Sequence, residues 1–190
     1  LEIARSRATG VEFIEADAQT YPFADAALDA AFSRFGVMFF ADPQAAFANI
    51  RGALKPGGRL AFVCWRPAAE NPIMTLPFQA AADHLPPPQP PEPGAPGPFA
   101  FADPQRVRSI LTQAGFQDVE ITPHEEKIGG GDLETALGLA LQVGPLGSAL
   151  REHPDKRDVV TAAVRAALAQ HDGPDGVKLD SATWIVTARA

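Results

Sequence analysis

The 190-residue sequence has a single cysteine, Cys64, so no disulfide can close within the chain. A reducing compartment is the simpler reading. No apolar run approaches the roughly 20 residues that a membrane-spanning helix needs, and no secretory pattern opens the chain. These absences predict a soluble cytoplasmic protein with no membrane partner. Basic residues are also few. Sixteen Lys and Arg against 23 Asp and Glu leave a net charge of −7. The cations are scattered, whereas a nucleic-acid backbone is bound by clustered ones, so a small-molecule partner is favoured over nucleic acid. The four histidines, His84, His124, His153 and His171, lack the paired spacing of metal ligands, and no metal is expected. No Gly-x-Ser-x-Gly elbow surrounds Ser33. Cys64 lies in an apolar run, where a thiol is packing material rather than a nucleophile. The first residue is not methionine, and Leu1–Arg5 reads as the interior of a helix without a cap, the mark of a clipped chain.

What is present suits one domain. The chain is 46% hydrophobic, enough for a single core. Val11–Ala16 is short, partly alternating and β-prone, which predicts a strand ending at Asp17. Leu28–Phe32 reads as a buried strand. Asp42-Pro43 opens a helix, with Asp as N-cap and Pro at the first helical position. The inward face of that helix is Phe47, Ile50 and Leu54, and Lys55-Pro56-Gly57-Gly58 ends it. Leu60–Trp65 is an almost continuous apolar strand of the kind covered on both faces. Asp103-Pro104 caps a second helix bearing Val107, Ile110, Leu111 and Ala114, which stops at Gly115. Strands follow at Val119–Ile121 and Thr183–Thr187. Strand, helix and strand with short joints is the grammar of an α/β sheet wound on both faces. Two stretches break the alternation. Residues 67–98 are read as a surface loop or flap, with eight prolines between Pro86 and Pro98. Residues 129–173 hold two apolar stripes, Leu133–Leu141 and Val160–Leu168, expected to form two helices, with Gly129-Gly130-Gly131 as a flexible joint.

Four segments together carry a family resemblance: Ala16-Asp17-Ala18 followed by Tyr21-Pro22-Phe23; Ala27–Val37; Asp42-Pro43 with its helix; and Leu54-Lys55-Pro56-Gly57-Gly58-Arg59-Leu60. In order and spacing the sequence resembles class I S-adenosylmethionine-dependent methyltransferases, in particular those of the ubiquinone/menaquinone-biosynthesis type. The match is densest from Leu1 to Trp65. It continues through Phe99–Pro104, Ala114-Gly115-Phe116 and the last strand. It implies a Rossmann-like sheet with helices on both faces and S-adenosylmethionine as cofactor. It also implies that Asp17 accepts from the adenine amine and that the Ala18 amide donates to the ring; Gln19, adjacent in the sequence, would cover the ring. Asp17 is placed where an α/β sheet binds its ligand, beyond the carboxyl end of a strand. The plainer reading is that it starts a turn. Ser33, Arg34, Phe35 and Gly36 fall where the family loop touches the methionine half of the cofactor. Gly36 would admit a close backbone approach, and the Phe35 ring would favour a cation. Core packing for Phe35 and a solvated surface charge for Arg34 are the alternatives.

The resemblance also places a glycine-rich loop and a ribose-binding acid ahead of Val11. Neither is in the sequence, so the first strand–helix–strand unit is absent and the chain alone is expected to bind cofactor poorly. The whole chain, 1–190, is then one partial methyltransferase domain, with 67–98 and 129–173 forming a cap over a small-molecule acceptor. No catalytic group is assigned, because a sulfonium is already an activated leaving group and the enzyme has chiefly to align the acceptor and exclude water. Two other classes fit parts of the pattern: another nucleotide-using α/β enzyme such as an oxidoreductase, and a non-catalytic interaction module.

Overall fold

A computed structural model describes residues 1–87, 92 and 94–190. A short helix, α1 (Glu2–Arg7), opens the chain. The expected strand at Val11–Ala16 does not form, and Val11 and Ile14 are exposed. A strand needs a partner for its backbone groups, and the sheet begins instead with β1 (Leu28–Arg34), whose outer edge no described strand pairs. β1 is correspondingly an exposed edge strand rather than the buried one expected, with Phe32 89% exposed.

Asp42 caps α2 (Pro43–Ala53) as the sequence implies, its carboxylate accepting from the Ala45 amide at 3.0 Å. β2 (Leu54–Trp65) follows directly. The Lys-Pro-Gly-Gly segment forms an irregularity at the start of that strand. Leu28 pairs with Leu54 and Ala30 with Arg59, so the extra residues bulge out, with Gly57 at a φ of +76°. After β2 come α3 (Pro72–Ala80) and α4 (Pro104–Gln113). The 67–98 stretch therefore carries a helix and is not a plain loop; residues 88–91 and 93 of its proline-rich part lie outside the described residues. β3 (Gln117–Gly129) leads to α5 (Leu133–Ala140), α6 (Gly144–Glu152) and α7 (Arg157–Ala169). Three helices thus stand where two apolar stripes predicted two. The sequence hid α6 behind Gly144, Pro145 and Gly147, yet proline at a first helical position lacks only an amide that would be unpaired anyway. A two-residue β4 (Asp172–Gly173) turns into β5 (Gly176–Arg189).

The sheet order is β1-β2-β5-β3, with β1 parallel to β2 and β5 antiparallel to both β2 and β3. β1, β2 and β3 therefore run the same way, and their carboxyl ends, Arg34, Trp65 and Gly129, share one edge with the start of β5. Helices lie on both faces, as the sequence implied. On one face Leu60, Phe62, Cys64 and Val186 pack with residues of α2 and α4. Phe47, wholly buried, sits there 5.5 Å from Phe62 and 6.1 Å from Phe101 between ring centroids. On the other face the start of β5, at Val177 and Leu179, packs under α3, α5, α6 and α7. Further along that face Ala61 and Val63 are only half-buried and Ile185 is 39% exposed. The apolar run Leu60–Trp65 is accordingly covered well on one side only.

The triple glycine is a tight crossing rather than a loose joint. A Cβ on Gly129 would overlap the Val177 carbonyl, and one on Gly176 would overlap that of Gly131. The Gly131 carbonyl accepts from the Val177 amide at 3.1 Å. Among the described residues no helix is long and apolar enough to cross a membrane.

Candidate active site

Ligands of α/β sheets bind beyond the carboxyl ends of parallel strands; one cavity opens there, and a second runs along β1 from Leu28 to Ser33. One, of about 410 Å³, lies between the sheet edge and the helices α3, α5, α6 and α7. The other, of about 420 Å³, lies between β1, α2 and the loop that follows Asp17. The segment after β1 separates them. Ser33, Gly36 and Val37 line the second cavity, whereas Phe35, Met38 and Phe39 line the first.

That division depends on one backbone feature. Phe35 has a φ of +57°, in the left-handed region, at a cost of roughly 1–2 kcal/mol for a residue with a Cβ. Its amide donates to the Val63 carbonyl at 3.1 Å, which fixes the turn. Its ring lies 4.2 Å from that of Trp65 at an interplanar angle of 13°. The stack contributes dispersion and apolar burial that offset the strain. Neither core packing nor a free aromatic face describes Phe35 fully: it is half-buried, stacked, and part of a cavity wall. Ser33 Oγ accepts from the Gly36 amide at 3.3 Å, closing the turn on the other side.

The Asp17–Tyr21 loop is a turn. Asp17 Oδ1 accepts from the Gln19 amide at 2.9 Å, and the Asp17 carbonyl accepts from the amides of Thr20 and Tyr21. The turn uses one carboxylate oxygen, and Asp17 is exposed, so the other remains able to accept from a ligand. Gln19 Oε1 accepts from the Asp42 amide at 2.9 Å, which gives that side chain a structural bond to the start of α2. Of the residues singled out in the sequence, the fold brings Ala18, Ser33 and Gly36 to one cavity and Phe35 to the other; Asp17, Gln19 and Arg34 line neither. Arg34 is exposed at the end of β1.

Sequence reasoning missed two asparagines that hold this region. Asn49, on α2, donates through Nδ2 to the carbonyls of Ala18 and Tyr21 at 3.0 and 2.9 Å, clamping the loop. Asn71, wholly buried, donates to the carbonyls of Arg66 and Pro67 and accepts from the Ala182 amide at 2.8 Å. Both bridge segments far apart in the chain, and nothing local in the sequence marks them. Beside Asn71, Arg66 pairs with Glu70 at 2.5 Å and Glu125 at 2.6 Å and lies over the Trp184 ring. Burial pushes the Cys64 thiol up to about 12, which agrees with an inert core cysteine.

Residues 1–62 match a family model described as a methyltransferase domain. Superposed on solved structures, the chain resembles the YcgJ protein of Bacillus subtilis, with a TM-score of 0.57 at 11% identity over 99% of this chain and 75% of that one. It also resembles a SAM-dependent methyltransferase from Archaeoglobus fulgidus, with a TM-score of 0.51 at 13% identity over 100% and 72% of the two chains. Residues 1–62 thus match a methyltransferase domain, and the fold of the whole chain resembles those of these solved structures. Among curated relatives, the chain is 30% identical over 137 residues to the O-methyltransferase cnsE of Penicillium expansum, covering 67% of this chain and 44% of that protein. It is 46% identical over 57 residues to the demethylmenaquinone methyltransferase of Thermus thermophilus, covering 30% of this chain and 26% of that protein. The chain thus spans less than half the length of these relatives. The segment matched by the family model includes Asp17, the Ser33–Gly36 turn and the Lys-Pro-Gly-Gly bulge.

Proposed function

We propose that the chain takes part in methyl transfer from S-adenosylmethionine to a small-molecule acceptor. The observation that carries this reading is the two-sided turn after β1: Ser33 and Gly36 face one cavity, and Phe35 faces the other. A methyltransferase needs two neighbouring sites meeting at one point, because the methyl group passes directly between aligned partners. S-adenosylmethionine supplies a methyl group on a positively charged sulfur. In this reading Ala18, Ser33 and Gly36 line the cofactor side, with the free oxygen of Asp17 accepting from the adenine amine. Phe35 offers an aromatic ring near the cation. The helices α3, α5, α6 and α7 and the segment around Pro98 cap the acceptor side and keep water out. A net charge of −7 favours a small acceptor over nucleic acid, and a buried, unpaired Cys64 suits a cytoplasmic setting.

Calorimetric titration of S-adenosylhomocysteine tests the cofactor half. Weak but saturable binding is expected, falling about tenfold with Asp17→Ala, the loss of one charge-assisted hydrogen bond. Equal binding by both proteins would remove the adenine assignment, and no binding by a folded chain would count against the cofactor itself.

A further inference from the structure

The cavity beneath the helices has an unusual lining. Among the described residues, it contains no charged side chain. Its walls include the Phe35–Trp65 stack, Ile73, Met74 and Leu139, together with Gly129, Gly130 and Gly144. A volume of about 410 Å³ falls within the usual range for small-molecule sites. An ion placed there would lose its hydration with no counter-charge, which is strongly unfavourable.

Gly130 shapes the floor. A Cβ on Gly130 would meet nothing closer than Leu139 Cδ2 at 3.9 Å, and its φ is not in the left-handed region. A side chain at this position therefore fits the backbone, and its nearest neighbour is Leu139, which also lines the cavity. Its neighbour Gly129 is the opposite case, since a Cβ there would overlap the Val177 backbone. Fold requirements account for glycine at 129 and leave glycine at 130 unexplained. Space inside the cavity explains it.

We propose that this cavity takes an uncharged, apolar molecule, and that Gly130 determines which acceptors fit. The inference rests on the methyl-transfer reading for the word acceptor; the binding itself does not. It has a chemical corollary. No described side chain of the cavity can remove a proton, so the nucleophilic atom arrives with a lone pair already free or loses its proton elsewhere.

The test is equilibrium dialysis of two matched probes against the 190-residue chain at neutral pH, 2-naphthol (uncharged) and 2-naphthoate (an anion). 2-Naphthol is expected to bind at least about tenfold more tightly, because the carboxylate would be buried without a partner. Gly130→Val is expected to weaken 2-naphthol binding about tenfold while the thermal melt is preserved. Gly130→Ala, which adds one carbon, should give a smaller loss in the same direction. Equal or tighter binding of 2-naphthoate, no binding of 2-naphthol, or unchanged binding by a well-folded Gly130→Val protein would each overturn the proposal. S-adenosylhomocysteine binding without 2-naphthol binding would sink this inference alone. 2-Naphthol binding without S-adenosylhomocysteine binding would sink the methyl-transfer reading and leave the apolar site standing.

Discussion

Asn49 Nδ2 donates to the Ala18 carbonyl at 3.0 Å, from a helix 31 residues further along the chain. The same nitrogen reaches the Tyr21 carbonyl, so one side-chain amide holds both ends of the turn that follows Asp17. Asn49→Ala leaves two carbonyls to find water and frees the loop. The expected loss of stability is about 1 kcal/mol, since the site is only half-buried. The expected loss in S-adenosylhomocysteine affinity is larger than that stability change implies, because the turn must be re-ordered on binding. Calorimetry and a denaturant melt on the same protein separate the two effects.

Asn71 is the more demanding position. All of its side-chain bonds are to backbone atoms, and it has no exposure at all. Asn71→Ala would strand the Ala182 amide and two carbonyls in the interior. We expect a destabilisation of about 3 kcal/mol. Asn71→Asp should fail as well, since a carboxylate cannot donate to the carbonyls of Arg66 and Pro67. A urea melt that placed either variant within experimental error of the parent would contradict this account.

Gly129→Ala tests the crossing between β3 and β5. Its Cβ would collide with main chain rather than with a movable side chain, and a loss of about 3 kcal/mol or more is expected. Gly130→Ala, one residue on, should lie within about 0.5 kcal/mol of the parent. Thermal melts of the pair provide the contrast; similar losses at both positions would mean that the crossing is looser than described.

Cys64 links stability to pH at the alkaline end. Its folded value, about 12, stands above the ordinary 9.0 because burial disfavours the thiolate. The unfolded chain therefore releases this proton first. The contribution is fully present below pH 9 and is lost as pH rises from 9.0 towards 12. Cys64→Ala should flatten the decline over that window. The native thiol should also resist alkylation until the chain unfolds.

How much of this was legible beforehand varies by element. The caps at Asp42 and Asp103 were readable because capping is a matter of a few adjacent residues. The strand at 11–16 was not, because a β-prone sequence becomes a strand only beside a partner, and the partner is a property of the whole sheet. The helix α6 was hidden by glycine and proline, whose meaning depends on their position within the helix. In the site, Ala18, Ser33, Phe35 and Gly36 were nameable from their motifs, but their division between two cavities follows from the +57° φ of Phe35 and its stack on Trp65, 30 residues away.

Composition and local spacing by themselves determined an α/β chain of alternating elements, a motif set resembling class I methyltransferases, and an inert cysteine. Those properties depend on near neighbours: hydrophobic period, cap and turn chemistry. Tertiary structure decided the order β1-β2-β5-β3, the uncharged cavity under the helices and the bridges from Asn49 and Asn71. Each of these joins groups far apart in the chain, and only packing in three dimensions sets which distant amide meets which carbonyl.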